Sequence, residues 1–226
     1  MKLKRCFTLL FCLLIFAGMN AQCRFCRTYE DFHNDRWEKL DTIIIEQHSK
    51  TRQLWWGGND FTLTCGDKTL DKVLQKEAFV VMHNDTMYVN CRNLRYEKTR
   101  FGGGFTKAMR IGDQSILFVN RMIGRDAMTR QLSNAYFFGT VGSILTARQL
   151  MKHQVCYVIS WGADEKGKIA IRMIDDTLIC QMLEKHYDLI QEYKSEKAPG
   201  KRILASHVLP ILIKAGLIND VSIDEE

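Results

Sequence analysis

Ala78-Phe79-Val80-Val81-Met82-His83-Asn84-Asp85-Thr86-Met87-Tyr88-Val89-Asn90-Cys91 decides the fold. Two runs rich in β-branched and aromatic residues, 78–83 and 86–91, flank the turn pair Asn84-Asp85, which is the pattern of a β-hairpin. Working outward, residues 105–111 and 115–120 repeat it around Gly112-Asp113, and 155–161 with 168–174 repeat it around the polar 162–167 segment. Upstream, residues 42–48, 53–56 and 61–65 are further strand candidates, with Gly57-Gly58-Asn59-Asp60 as the hairpin loop between the last two. Helical signals come between and after these. Thr28-Tyr29-Glu30-Asp31 has the form of a capping box opening a short helix through about Trp37, and Leu70, Val73 and Leu74 share one face of a helix over 67–76. A long helix is expected from about Asp126 to Lys152, then helices over 177–185, 189–196 and 202–215, with 194–202 as the best linker. The class is therefore α+β. About eight short strands form an antiparallel meander, bent into a sandwich or open barrel, with one long inserted helix and a helical C-terminal tail.

The first residues have a different character. Lys2, Lys4 and Arg5 precede an uncharged apolar run over 6–16, then the small-residue stretch Ala17-Gly18-Met19-Asn20-Ala21. This is the layout of an export signal, and the run is shorter than the ~20 residues a membrane span needs. Cleavage is expected after Ala21, giving a signal peptide over 1–21, a β-rich domain over 22–174 and a helical segment over 175–226 packed on it. The destination is periplasmic, outer-envelope or secreted. Gln22, where a lipoprotein signal wants a small residue, favours soluble export over lipidation of Cys23.

The full chain of 226 residues has a formal charge of +6, which falls to +3 once residues 1–21 and their three basic side chains are removed. So small an excess argues against nucleic acid as a partner. Six cysteines remain, at 23, 26, 65, 91, 156 and 180. An exported protein permits disulfides, but Cys91 and Cys156 sit in apolar runs where a free thiol behaves as a small hydrophobe. One or two bridges at most are expected.

The segments Thr28-Tyr29-Glu30-Asp31-Phe32, Gly57-Gly58-Asn59-Asp60-Phe61, Lys76-Glu77-Ala78-Phe79, Asp85-Thr86-Met87-Tyr88-Val89-Asn90-Cys91-Arg92, Val155-Cys156-Tyr157-Val158-Ile159 and Gln191-Glu192-Tyr193-Lys194 stand in a telling order. They resemble a family of exported proteins of Bacteroidetes-type bacteria, a domain of unknown function. The resemblance implies export and the fold but no activity. It also implies O-glycan attachment at Asp-Thr followed by an apolar residue, which this chain offers at Thr42, Thr86 and Thr177. Thr86, beside the tight turn, is expected to be the most accessible of the three.

Catalytic signatures fail on spacing. Cys23-Arg24-Phe25-Cys26 has redox or zinc spacing, but no strand-forming stretch precedes it and no second ligand pair exists. A local disulfide or tether at a loose amino terminus is its simpler reading. Gly102-Gly103-Gly104 lacks the G-K-[ST] ending of a phosphate loop and, between strands, reads as a bulge. Gly142-Ser143 is no nucleophile elbow, and Asp175-Asp176 reads as a helix cap. No metal or cofactor is implied. Trp55 and Trp56, with Asn59 and Asp60, form the candidate partner surface. Arginines 92, 95, 100, 110, 121, 125 and 130 give the middle of the chain a basic bias that could face anionic polysaccharide or lipid headgroups, but interleaved with Glu97, Asp113 and Asp126 they read first as an ordinary solvated surface. Ala135, Gly139, Ser143 and Ala147 recur every four residues, a stripe that permits close helix packing or self-association through 132–147. The function expected is a non-enzymatic binding or structural module of the envelope. A membrane-associated oligomer using 132–147 is the alternative, and a hydrolase-type enzyme with an unrecognised site ranks third.

Overall fold

The 78–91 segment forms the expected hairpin. Val80–His83 pairs with Thr86–Asn90 in antiparallel register from Val80↔Val89 to His83↔Thr86, and Asn84 turns the chain with a left-handed φ of 52°, which asparagine tolerates better than most residues. The computed structural model describes residues 23–49, 52–53, 58–112, 114–124, 154–162 and 169–219. In chain order its elements are β1 (Cys23–Cys26), α1 (Tyr29–His33), β2 (Glu38–Leu40), β3 (Ile44–Gln47), β4 (Phe61–Thr64), α2 (Lys68–Lys76), β5 (Val80–His83) and β6 (Thr86–Asn90). A 3-10 turn (Cys91–Asn93) leads to β7 (Arg95–Tyr96), β8 (Thr99–Arg100), β9 (Phe105–Ile111), β10 (Ser115–Arg121), β11 (Gln154–Trp161) and β12 (Ile169–Met173). Helices α3 (Asp176–Met182), α4 (Tyr187–Ser195), α5 (Pro199–Arg202) and α6 (Ala205–Lys214) follow.

The architecture is α+β. Ten of the strands make one open antiparallel sheet in the order β12-β11-β10-β9-β6-β5-β1-β2, with β4 joining at the start of β9 and carrying β3 on its other edge. Strand alternation divides the core between two faces. On one face Cys26, Val80, Val89, Ile116, Tyr157 and Ile159 share a single cluster with Tyr29 and Phe32 of α1. A flat sheet would hold β1 and β11, five places apart, roughly 24 Å from each other. Yet the Tyr29 ring meets Trp161 of β11 edge-on with centroids 4.9 Å apart, and Tyr29 Oη donates to the carbonyl of Gln114. The sheet is therefore curled, with α1 lying across the hollow. The opposite face has two covers. Leu117, Cys156 and Val158 pack under α3, α4 and α6, while Phe25, Val81, Tyr88 and Phe105 pack with Leu63 of β4 and Leu74 of α2.

Local signals explain the helix ends. Thr28 and Asp31 complete a reciprocal capping box on α1, which stops at His33 rather than Trp37 because Asp35 takes a left-handed φ of 54°. Asp67 caps α2 through the amides of Thr69 and Leu70, and Asp175 caps α3 through that of Leu178. Several expectations need correction. The amino-terminal cysteine segment is no loose tether: β1 is hydrogen-bonded to β2 on one side and β5 on the other. Of the strand expected over 53–56, residues 54–56 lie outside the described residues; Gln53 is in a helical turn with Arg52, and β4 pairs with β3. The 194–202 linker is largely structured as the end of α4 and the Pro-initiated turn of α5. The long helix over 126–152, with Ala135, Gly139, Ser143 and Ala147, lies outside the described residues, as does 1–21. Among the described residues no helix is long and apolar enough to cross a membrane.

The tail is tied together by one carboxylate. Asp176 accepts from Tyr193 Oη at 2.7 Å and from both Nε and Nη2 of Arg202. Arg202 above all, then Tyr193, holds the Asp176 carboxyl below its ordinary 3.8. A carboxyl lowered on folding stabilises above its unfolded value and loses that contribution as pH falls through the folded one. Stability measured by thermal melts should therefore decline as pH drops below 3.8. The slope should be shallow, since the side chain is half-exposed, and Asp176→Asn should flatten it.

Candidate functional site

The β9–β10 ladder runs only from Ser115↔Ile111 to Phe118↔Ala108. Beyond it the strands part: β10 continues beside β11, while Phe105 at the start of β9 pairs with Phe61 of β4. Polar groups at such a fork lose ladder partners and must find others. Side chains supply them. Thr106 Oγ1 lies 2.9 Å from Asp60 Oδ2 and 3.1 Å from the Val119 carbonyl, spanning the gap. Asn120 Nδ2 donates to Asn59 Oδ1 at 2.7 Å. Asn59 Nδ2 in turn reaches the carbonyls of Gly102 at 3.3 Å and Gly103 at 2.9 Å. Asn59, Thr106 and Asn120 are 3%, 2% and 6% exposed, a burial that polar side chains tolerate only when bonded in this way.

The same node closes the chain segment between β3 and β4. The His48 amide donates to the Asp60 carbonyl, and Gln53 Nε2 donates to the His48 carbonyl at 3.2 Å and to Asp60 Oδ1 at 3.0 Å. His48 Nδ1 is 2.8 Å from the Asn59 carbonyl and Nε2 is 2.8 Å from Thr62 Oγ1. A carbonyl only accepts, so the Nδ1 proton points at Asn59. Gly104 lets the strip carrying Phe101 to Gly103 come this near: it holds φ 95°, and a β-carbon there would lie 2.9 Å from the Phe61 carbonyl. Between these groups and Arg121 and Gln154 a cleft encloses about 10 Å³, room for about one water. The arrangement holds backbone in place.

The structure distributes the expected site residues unevenly. Trp55 and Trp56 lie outside the described residues. Asn59 and Asp60 do come together, but Asn59 is buried and its amide committed, so it is not part of a presented surface. Gly102-Gly103-Gly104 is not a bulge; it is the strip on which Asn59 docks. Thr42 and Thr177 are exposed, whereas Thr86 is half-buried in β6, which reverses the expected order of access. Thr42 precedes β3 instead of opening it, leaving its side chain in solvent. Asn120, Thr106 and Gln53 belong to the node and escape sequence reading, because nothing local distinguishes them from ordinary polar strand residues. Asn90 escapes too: its amide donates to the carbonyls of Leu74, Gln75 and Ala78 and terminates α2.

Cys23 and Cys26 stand three apart on one strand, so they point to opposite faces and enter different clusters. No disulfide joins them, and all six described cysteines are free thiols. Cys23 Sγ lies 3.1 Å from His83 Nδ1, its register partner on β5. Burial raises the Cys23 thiol and, aided by Asp31 and Asp35, pushes Cys26 up to about 12. Burial also pushes Cys91 and Cys156 up. These groups are protonated and poorly nucleophilic near neutral pH. Among the described residues no three His, Cys, Asp or Glu side chains are grouped to hold a metal.

Residues 24–219 match the model of a family of unknown function, DUF6563. The chain belongs to this family. No curated protein matches the chain, and no solved structure does either. The DUF6563 match begins inside β1 and extends past α6, so the curled sheet and the helical tail fall within one family unit. Both partners of the Asn59–Asn120 bond lie inside it.

Gly104→Ala should destabilise by about 1–3 kcal/mol, from the left-handed backbone and the clash with Phe61. Gly103→Ala, with no atom within 4 Å of its β-carbon, should stay within about 0.5 kcal/mol; urea melts of the two variants make the comparison. Alkylation of the native protein near neutral pH should label the half-buried Cys65 and Cys180 first. Cys26, Cys91 and Cys156 should react only after denaturation, as peptide mass spectrometry would show.

Proposed function

We propose that this DUF6563 chain is an exported, non-enzymatic protein of the envelope of Bacteroidetes-type bacteria, released by cleavage after Ala21, that works by presenting a surface to a partner. One observation carries the reading. The buried node grips both ends of the segment bearing Trp55 and Trp56, through His48 on one side and Asn59 and Asp60 on the other. Clamping the ends of a loop lowers the entropy lost when its residues engage a partner, and adjacent tryptophans supply large apolar area for contact. The presented residues are then Trp55 and Trp56, with Asn59 and Asp60 serving as their footing.

The placement of Cys23 supports soluble export over lipid anchoring. The residue is 4% exposed and its thiol is turned toward His83 in the sheet, so a diacylglyceryl thioether there would have to force β1 away from β5.

Protein recovered from envelope or medium should begin at Gln22 on amino-terminal sequencing and partition into the aqueous phase of a detergent extraction. Met1 retained in cytoplasmic protein would overturn export. A Trp55→Ala/Trp56→Ala double variant should melt with the native protein yet lose retention on isolated envelopes. Unchanged retention would reject the tryptophan surface.

A further inference from the structure

Of the eight exposed arginines among the described residues, four are matched by carboxylates. Arg27 pairs with Glu38 and Glu77, Arg36 with Glu30 and Asp31, Arg52 with Glu46, and Arg110 with Asp35. Three of the other four, Arg92, Arg95 and Arg100, cluster on the β7–β8 hairpin and the turn before it; the fourth is Arg172 of β12. Arg92, Arg95, Lys98 and Arg100 are all exposed, and among the described residues their charged groups meet no acid. Arg95 and Arg100 are direct cross-strand partners, so two like charges face each other at about 5 Å between β-carbons, an arrangement that costs stability. Alternation explains the side they occupy. Leu94 and Phe101 point into the core, Tyr96 packs on the Tyr157 ring, and the arginines between them must point out. The hairpin's one acid, Glu97, is turned to the Tyr96 side, with Oε2 3.0 Å from where a β-carbon on Gly124 would lie. The α2 end is tied alongside by Asn93 donating to the Lys76 carbonyl, adding a further exposed cation.

We propose that the Arg92–Arg100 ridge binds an acidic polysaccharide, whose carboxylate or sulfate groups sit between Arg95 and Arg100 and relieve their repulsion. Guanidinium pairs grip such groups through paired N–H donors. The ridge's own chemistry selects among polyanions. A nucleic acid binder would offer aromatic faces for base stacking, but Tyr96 is turned inward. A membrane-docking hairpin would carry apolar side chains to insert, but Leu94 and Phe101 are buried. A row of outward cations with no exposed apolar residue suits a hydrated, linear acidic chain. The inference stands apart from the tryptophan surface and from export.

The test uses the purified protein with heparin and polygalacturonate as probes, dextran as the neutral control, and phosphatidylglycerol vesicles and single-stranded DNA as competitors of other classes. Binding to an acidic polysaccharide at low salt, weakening as salt rises and absent with dextran, is expected. Arg95→Gln/Arg100→Gln should lower that affinity about tenfold or more while the melting temperature holds or rises. Arg36→Gln, which removes an ion-paired arginine elsewhere, should leave affinity unchanged. No binding by the native protein, equal loss from the Arg36 variant, undiminished binding by the double variant, or tighter binding to vesicles or DNA would each overturn the proposal.

Discussion

Strand β9 cannot keep one neighbour along its whole length. Its last residues pair with β10, its first with β4, and the change of partner opens a fork in the middle of the sheet. Buried backbone and side-chain groups at such a place are costly if left unpaired. Thr106, Asn120, Asn59 and Asp60 meet that cost by bonding to one another and to the glycine strip. Because Asn59 and Asp60 lead into β4, the bonds that close the fork also fix where β3 and β4 attach. Among the described residues the branch carrying Leu63 shares one ladder pair with β9, Phe61↔Phe105, so the node adds to that pair and to the packing of Phe105 against Leu63 and Phe61.

The curl of the sheet follows from a second requirement. One face must bury apolar side chains from β1 to β12 in a single cluster, and among the described residues α1 and the flanks of β7–β8 cover it. Aromatic rings fill the hollow: Phe101 meets Tyr157 at 4.8 Å edge-on, and Phe118 stacks on Tyr157 at 5.4 Å. The Tyr157 hydroxyl takes the Ile123 amide proton, so its polar tip is satisfied inside the cluster. The opposite face leaves apolar strand surface under the C-terminal helices, whose packing makes the tail part of the same unit.

Arg27, Arg36, Arg52 and Arg110 each stand beside a carboxylate at the surface. Such exposed pairs contribute little to stability. The β7–β8 ridge departs from that pairing, and it does so on a hairpin whose inward residues are anchored in the aromatic cluster. A charge repulsion at that spot is held by packing beneath it, which is how a locally unfavourable feature persists in a folded protein.

The hairpins at 78–91 and 105–121, the strand at 154–161, the helix at 68–76 and the capping box at Thr28 were legible in the sequence. Their periodicity, turn residues and caps are local, acting within a few residues of one another. Strands β1 and β2 were not legible, because three or four residues carrying Arg24, Glu38 and Lys39 become strands only through β5, more than fifty residues downstream of β1. Asn59 and Asp60 stood out as a motif, yet whether they face solvent or seal a fork depends on Asn120, sixty-one residues away. The basic bias of Arg92, Arg95 and Arg100 was visible in the sequence; that Arg95 faces Arg100 across a hairpin, with Tyr96 turned in, was decided by the packing on Tyr157. Local rules set the elements, whereas burial shared between distant strands decided which polar residues became structure and which stayed free to meet a partner.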